Sequence, residues 1–168
     1  MLRALIIALL LPNAVAAQDS AFDTYVRLST DFRGIGFPLD IVNGGSDNNR
    51  AKLERFGNFS GQFWALTRDG KSIRLTTEFR GPRMCLDIVN GGPDNNRAEL
   101  RPCGNFSGQL WTLQQVSGGY RMTTEFRGNN MCLDVINGGR DNNFVELRPC
   151  GNFSGQIWTL SDTGRPIP

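Results

Sequence analysis

The sequence predicts an all-β fold made of three copies of one unit. Two observations predict it. Similar segments recur every 47 residues without gaps, and within each unit short β-type runs alternate with turns rich in Gly, Asn and Pro. Glycine occurs 20 times in 168 residues, and no segment shows a convincing helical period.

The N-terminal 17 residues, Met1–Ala17, stand apart from the repeat. Arg3 provides a positive charge, Ala4–Leu11 is an apolar run, and small residues follow it. This order is typical of a secretory signal peptide, and the run is too short to cross a bilayer of about 30 Å. We expect cleavage after Ala17 or one residue earlier, secretion to an extracellular or periplasmic space, and a short lead at 18–26.

Each unit begins with the same pattern. The segment Arg-Leu-Ser-Thr-Asp-Phe-Arg-Gly that starts at Arg27 returns in varied form at Arg74 and Arg121. The chain is therefore interpreted as one domain at 27–168, with repeats at 27–73, 74–120 and 121–167. In the second repeat the strand signals cover Arg74–Phe79, Cys85–Asn90, Ala98–Cys103 and Gln109–Val116. Four strands per repeat predict twelve, and three units favour a β-trefoil because propellers usually have four or more blades.

Charge and composition exclude several classes of function. Lys and Arg number 18 against 16 Asp and Glu, with no run of one sign, which argues against a nucleic-acid binder or a polybasic membrane-surface protein. Histidine is absent, which excludes His-dependent triads and His-ligated zinc. We expect no metal, no cofactor, no membrane insertion and no enzyme activity.

Every unit closes with a Gln-x-Trp motif, and two of the three carry Cys-Leu-Asp near their second strand. Over Arg27–Ile167 the sequence resembles the ricin B-type lectins. The resemblance implies a β-trefoil with six strands in a barrel and six in capping hairpins. Because a large indole repeated once per unit suits a shared core, we interpret the motif residues as structural. They are Gln62, Trp64, Gln109, Trp111, Gln156 and Trp158.

Four cysteines permit three disulfide pairings. The pairing that respects the repeat joins Cys85 to Cys103 and Cys132 to Cys150, in each case 18 residues apart. Each disulfide would connect the second and third strands of its own unit. If Cys85 lies directly opposite Cys103, Asp87 lies opposite Arg101, and by the same register Asp134 lies opposite Arg148.

The resemblance also implies a sugar site. In ricin-like lectins an Asp accepts hydrogen bonds from sugar hydroxyls, an aromatic ring opposite it stacks on the sugar, and an Asn precedes Gln-x-Trp. The Asp is present in all three units, as Asp40, Asp87 and Asp134. The aromatic positions hold Glu54, Arg101 and Arg148, and the Asn positions hold Gly61, Gly108 and Gly155.

Two interpretations of the Asp and Arg residues stay open. They form surface ion pairs that close a former sugar pocket, or they line a polar pocket in which Arg101 and Arg148 donate to hydroxyls or to an acidic sugar. The loop Asn-Gly-Gly-x-Asp-Asn-Asn recurs in all units. In the ricin-like lectins this loop lies beside the sugar, so the resemblance implies Asn49, Asn96 and Asn143 as hydroxyl partners. Calcium is a weaker interpretation of this loop, because its spacing is not that of an EF-hand.

The motif Asn-Phe-Ser also recurs, at Asn58, Asn105 and Asn152. It matches the N-glycosylation sequon, and it equally suits a tight turn within Gly-Asn-Phe-Ser-Gly, which we favour.

The sequence thus predicts a secreted, non-catalytic carbohydrate-binding module with up to three equivalent sites. The two disulfide-bearing repeats are the better candidates, and the partner is a glycan or polysaccharide. The alternative is a trefoil that has lost sugar binding and contacts a protein partner, for example as the adhesion subunit of a toxin-like assembly. We expect a monomer, because all three units are complete.

Overall fold

The computed structural model of the chain describes residues 22–168, so the predicted signal peptide lies outside the described residues. The described part contains twelve β-strands and three short 3-10 helices. Repeat 1 has β1 (Thr24–Thr30), β2 (Leu39–Ile41), β3 (Ala51–Leu53) and β4 (Trp64–Asp69). Repeat 2 has β5 (Ser72–Thr77), β6 (Gly81–Ile88), β7 (Ala98–Pro102) and β8 (Trp111–Val116). Repeat 3 has β9 (Gly119–Thr124), β10 (Met131–Val135), β11 (Val145–Pro149) and β12 (Trp158–Pro166).

The strands arise where the sequence predicted them, with shifted ends. β5 begins two residues before the predicted start of its repeat, and β1 begins at Thr24, within the predicted lead. The fourth strand of repeat 2 is shorter than the predicted Gln109–Val116. Ser107–Gln109 forms a 3-10 helix, and β8 begins only at Trp111. The equivalent 3-10 helices are Ser60–Gln62 and Ser154–Gln156.

Six strands form a closed antiparallel barrel. The pairs run in a ring, β1 with β4, β4 with β5, β5 with β8, β8 with β9, β9 with β12, and β12 with β1. Closure leaves these strands without a free edge. The other six strands form the hairpins β2–β3, β6–β7 and β10–β11.

The three hairpins meet one another at one end of the barrel. Bridges join Arg50 to Glu99, Lys52 to Phe144, and Arg97 to Glu146, so each hairpin touches both of the others. This arrangement of a six-stranded barrel and three capping hairpins is the β-trefoil that the repeat predicted. Within residues 22–168 no helix is long and apolar enough to span a membrane.

The core is one cluster that takes an equivalent tryptophan from each repeat. Trp64, Trp111 and Trp158 are fully buried at 0% exposure, and each indole Nε1 donates to a backbone oxygen of its own repeat's hairpin at 2.9 Å. The acceptors are Leu39, Leu86 and Leu133. The indoles therefore fill the core and connect the barrel to the hairpins without leaving a buried donor unpaired.

Both disulfides form as the repeat predicted, but the register deduced from them is wrong. Cys85–Cys103 and Cys132–Cys150 each have a Cα–Cα distance of 5.0 Å. The Cys103 amide pairs with the Arg83 carbonyl, so the disulfide crosses the hairpin diagonally rather than joining opposed residues. Cys85 accordingly lies opposite Arg101, and Asp87 lies opposite Glu99.

Repeat 3 shows the same shift. Asp134 lies opposite Glu146, and Arg148 lies opposite Cys132. A shift of two residues keeps every side chain on its predicted face, because side chains in a strand alternate with a period of two. It changes only which residues are neighbours across the hairpin.

Candidate functional site

Each repeat contains a surface pocket between its capping hairpin and its Asn-Phe-Ser turn. The volumes are about 490, 270 and 610 Å³ in repeats 1, 2 and 3. In repeat 2 the lining includes Asp87, Asn90, Asn105, Phe106 and Ser107. The equivalents in the other repeats line their own pockets: Asp40, Asn43, Asn58, Phe59 and Ser60, and Asp134, Asn137, Asn152, Phe153 and Ser154.

One wall of each pocket comes from the following repeat. Phe79 of repeat 2 lines the pocket of repeat 1, Phe126 of repeat 3 lines that of repeat 2, and Phe32 of repeat 1 lines that of repeat 3. The guanidinium of the next residue covers each of these rings at 4.1–4.3 Å from its centroid. The three pockets are thus related by the threefold symmetry of the fold.

The pocket Asp is held by the Gln of Gln-x-Trp. In repeat 2, Gln109 Nε2 donates to Asp87 Oδ2 at 2.9 Å, and the Ile88 amide donates to Asp87 Oδ1 at 2.7 Å. Gln109 also accepts from the Gly104 amide at 2.9 Å and donates to the Pro102 carbonyl at 3.0 Å. Every polar atom of the Gln amide therefore has a partner in the turn or the hairpin, and the carboxylate is fixed in one orientation.

The glycine before the Gln makes room for this carboxylate. A Cβ on Gly61, Gly108 or Gly155 would lie only 2.1–2.4 Å from the Asp Oδ1 of the same repeat. A larger residue at this position therefore requires the carboxylate to move. The resemblance implies an Asn at this position, and this chain has Gly there. The Asp carboxylate can point inward only because the Gly has no Cβ.

The carboxylates of the three pockets are partly or almost fully removed from solvent. Asp87 and Asp134 are 7% exposed. The pKa of Asp40 is raised above its ordinary value of 3.8, mainly because burial disfavours the charged form, while the bonds from Gln62 and the Ile41 amide oppose the shift.

Arg101 and Arg148 line the pocket mouths but do not bond to the pocket Asp. Arg101 Nε donates to Glu99 Oε1 at 2.7 Å along its own strand, and Arg148 bonds Glu146 in the same way at 2.7 Å. Both arginines are nearly half exposed, at 45% and 46%. Exposed ion pairs of this kind contribute about 0–1 kcal/mol and leave the other guanidinium N–H groups available.

Repeat 1 reverses this ion pair. Lys52 Nζ lies 2.6 Å from Glu54 Oε1, and Glu54 lines the pocket where the other repeats place arginine. The predicted ion pairs between the pocket Asp and these arginines do not form, because Arg101 and Arg148 pair with Glu99 and Glu146 on their own strands. The pockets stay open, since the pocket Asp does not take part in those pairs.

The loop asparagines do not line the pockets. Asn49, Asn96 and Asn143 have φ of 71°, 73° and 71°, a left-handed conformation that Asn tolerates better than most residues. Their carbonyls accept inter-repeat bonds from the amides of Leu100, Leu147 and Leu53 at 2.8–2.9 Å. The structure therefore brings these residues to the junction between hairpins, away from the pocket Asp.

Sequence reasoning missed the exposed phenylalanines. Phe59, Phe106 and Phe153 are 58–59% exposed and line the three pockets. One edge of each ring packs near the glycine two positions before it, where an added Cβ would lie 2.3–2.5 Å away. The signal was present in the sequence, because a large apolar residue recurs in a turn where polar residues suffice.

Comparison with known proteins identifies the family. The model of the ricin-type beta-trefoil lectin domain matches residues 75–167, more than half of the chain. The chain belongs to the ricin-type β-trefoil lectin domain family. The predicted family and fold are both confirmed. No curated protein matches the sequence.

Other members of the β-trefoil fold superpose on this ricin-type domain at low identity. ThreeFoil, a designed threefold symmetric protein, matches with TM-score 0.69 and 21% identity over 82% of this chain and 98% of its own. A Polyporus squamosus lectin matches with TM-score 0.67 and 14% identity over 88% of this chain and 50% of its own. A mosquitocidal holotoxin matches with TM-score 0.72 and 14% identity over 84% of this chain, which spans only 17% of the toxin.

Proposed function

We propose that the chain is a secreted, non-catalytic carbohydrate-binding module with three similar sites. The observation that carries the proposal is the threefold recurrence of one pocket with a fixed Asp, two asparagines, a serine and an exposed phenylalanine. A sugar ring has hydroxyl groups around its edge and an apolar C–H face. Carboxylate, amide and hydroxyl groups can form hydrogen bonds with the sugar hydroxyls, and an aromatic ring can pack on the apolar C–H face.

In this proposal Phe59, Phe106 and Phe153 provide the aromatic surface that the Glu and Arg at the expected position lack. Asp40, Asp87 and Asp134 accept from hydroxyls with the lone pairs that Gln and backbone leave free. Arg101 and Arg148 donate from the pocket mouth. The proposal also rests on family membership and on the Polyporus squamosus lectin, which is described as bound to Neu5Acα2-6Galβ1-4GlcNAc.

Two features support binding without catalysis. Glycoside hydrolysis generally uses a pair of carboxyl groups, whereas Asp87 and Asp134 are the only carboxylates among the lining residues of the pockets of repeats 2 and 3. The pocket of repeat 1 has two carboxylates, Asp40 and Glu54, and Glu54 is paired with Lys52 at 2.6 Å. Triplicated shallow sites also suit multivalent binding, in which several weak contacts to one polymer give high avidity.

The test is a glycan array, followed by a polysaccharide pull-down, with the chain from residue 18 onward. We expect retention that free sugar competes away. The triple variant Phe59→Ala, Phe106→Ala and Phe153→Ala should weaken retention at least about tenfold, because each ring covers apolar sugar surface and multivalency amplifies the loss. The matched control is Phe22→Ala, which removes a phenylalanine that is 40% exposed and lies outside the pockets.

Equal retention of the triple variant and of wild type would contradict the assignment of the phenylalanines. Absence of glycan binding by wild type, together with co-purification of a protein, would contradict the proposed function. That result would instead support the alternative of an interaction module.

A further inference from the structure

A Phe-Arg pair from a neighbouring repeat borders each pocket. In repeat 2 the pair consists of Phe126 and Arg127, which belong to repeat 3. Phe126 lines the pocket, and the Arg127 guanidinium lies 4.1 Å from the centroid of its ring. Arg127 itself lies outside the set of residues that line the pocket. The arginine is therefore placed to act on the wall of the pocket rather than on a ligand.

A backbone bond attaches the phenylalanine of this pair to the Asn-Phe-Ser turn. The Phe126 amide donates to the Ser107 carbonyl at 3.3 Å, and Ser107 lines the same pocket. The equivalent bonds at the other two pockets join Phe79 to Ser60 at 3.2 Å and Phe32 to Ser154 at 3.3 Å. The wall that the phenylalanine provides is thus tied to the turn that forms one side of the pocket.

The arginine of the pair is attached to the opposite side, which the capping hairpin provides. Arg127 Nη2 donates to Asn95 Oδ1 at 2.6 Å, and the same oxygen accepts from the Gly91 amide at 2.8 Å. Gly91 directly follows Asn90, which lines the pocket. Through Asn95 the guanidinium therefore holds the hairpin loop that carries Asn90.

The same bridge recurs at the other two pockets. Arg80 Nη2 donates to Asn48 Oδ1 at 2.8 Å. Arg33 donates from Nη2 to Asn142 Oδ1 at 3.2 Å and from Nε to Asn143 Oδ1 at 2.9 Å. Each Phe-Arg pair thus joins the turn and the hairpin loop of a repeat to which it does not belong.

We propose that Arg33, Arg80 and Arg127 are positioning residues for sugar binding. Each holds the two sides of one pocket at a fixed separation, the pocket that its neighbouring phenylalanine lines. The proposal rests on the proposed carbohydrate function. A loop that is already held in place loses little conformational entropy when a ligand binds, so the bridge increases affinity without touching the sugar. Each pocket therefore depends on one arginine of a neighbouring repeat.

The test measures the affinity of each pocket separately by NMR. The isotope-labelled chain from residue 18 onward is titrated with the methyl glycoside of the monosaccharide that gives the strongest glycan-array signal. The amides of Ser60, Ser107 and Ser154 report on the pockets of repeats 1, 2 and 3. In Arg127→Met we expect the dissociation constant at the pocket of repeat 2 to rise about fivefold, because the sugar must then order the loop. The constants of the other two pockets should stay within about twofold of wild type, because their own bridges are intact.

Three further variants complete the design. Arg80→Met makes the same chemical change in another bridge and should weaken the pocket of repeat 1 instead. Asn95→Ala removes the loop end of the bridge and should reproduce the loss at the pocket of repeat 2. The matched control is Arg165→Met, because Arg165 also stacks on a ring, that of Phe63 at 4.8 Å, and bonds Glu78 of another repeat at 2.6 Å. It lines none of the three pockets, so all three constants should be unchanged.

Unchanged affinity at the pocket of repeat 2 in both Arg127→Met and Asn95→Ala would overturn the positioning role and leave the proposed function standing. An equal loss at all three pockets in Arg127→Met would overturn it as well, because that pattern indicates general destabilisation. Absence of sugar binding by wild type at every pocket would overturn the proposed function and the positioning role together.

Discussion

At the scale of single residues, the orientation of the pocket Asp depends on a glycine. Asp87 turns inward to Gln109 and to the Ile88 amide, and its Oδ1 occupies the space that a Cβ on Gly108 would need. A carboxylate at 7% exposure requires these donors, because a buried charge without partners is costly. The glycine, the glutamine and the aspartate therefore form one structural unit in each repeat.

This unit predicts the effect of Gly108→Ala. The added methyl group should displace the Asp87 carboxylate, break its bond to Gln109 and lower the free energy of unfolding by about 1–3 kcal/mol. Urea unfolding followed by Trp fluorescence measures the change. Gly36→Ala is the matched control, because no atom lies within 4 Å of an added Cβ there. A Gly108→Ala protein as stable as Gly36→Ala would contradict the prediction.

At the scale of elements, the capping hairpin keeps the same backbone geometry in all repeats although one repeat lacks a disulfide. The amides of Phe56, Cys103 and Cys150 each donate at 2.9 Å to the carbonyl twenty positions earlier. The cysteines therefore add a crosslink to a hairpin that forms without them. In repeat 1 the same positions instead provide apolar surface.

The shared geometry predicts that repeat 1 can accept the missing disulfide. Pro38→Cys combined with Phe56→Cys should form a bridge across 18 residues and raise the free energy of unfolding by up to about 3 kcal/mol, chiefly by restricting the unfolded chain. Urea unfolding with and without reductant measures the gain, and thiol titration reports bridge formation. Phe56→Cys alone is the control and should show no reductant-dependent gain. Two free thiols in the double variant would contradict the shared geometry.

At the scale of the whole molecule, stability is shared among the repeats. The barrel closes only when β1 pairs with β12, and the hairpins bond one another through the Asn49, Asn96 and Asn143 carbonyls. The three tryptophans of the core come one from each repeat. One repeat therefore has no core of its own.

We accordingly predict that a peptide of residues 74–120 does not fold as a monomer, even with its disulfide formed. Circular dichroism and sedimentation should show an unfolded species at low concentration, with folded material only as a concentration-dependent trimer. The chain at 18–168 is the control and should unfold cooperatively at all concentrations. A cooperatively folded monomer of 74–120 would show that the repeat is self-sufficient.

The sequence by itself determined the number of strands, the threefold plan and the pairing of the cysteines, because these follow from spacing along the chain. The 47-residue period and the Gln-x-Trp motifs sufficed for the trefoil. The site was predicted less completely. Asp40, Asp87 and Asp134, with Arg101 and Arg148, were placed in pockets, whereas the exposed phenylalanines were interpreted as turn residues.

Only the tertiary structure decided which residues meet. The hairpin register depended on a diagonal disulfide, which spacing cannot distinguish from a direct one, so Asp87 faces Glu99 and not Arg101. Each pocket takes a wall from the next repeat, and in repeat 2 this wall is Phe126, which is at least 18 residues away in the chain from the other lining residues. Strand patterns are local and can be read along the sequence, but a pocket depends on how separate segments pack in space.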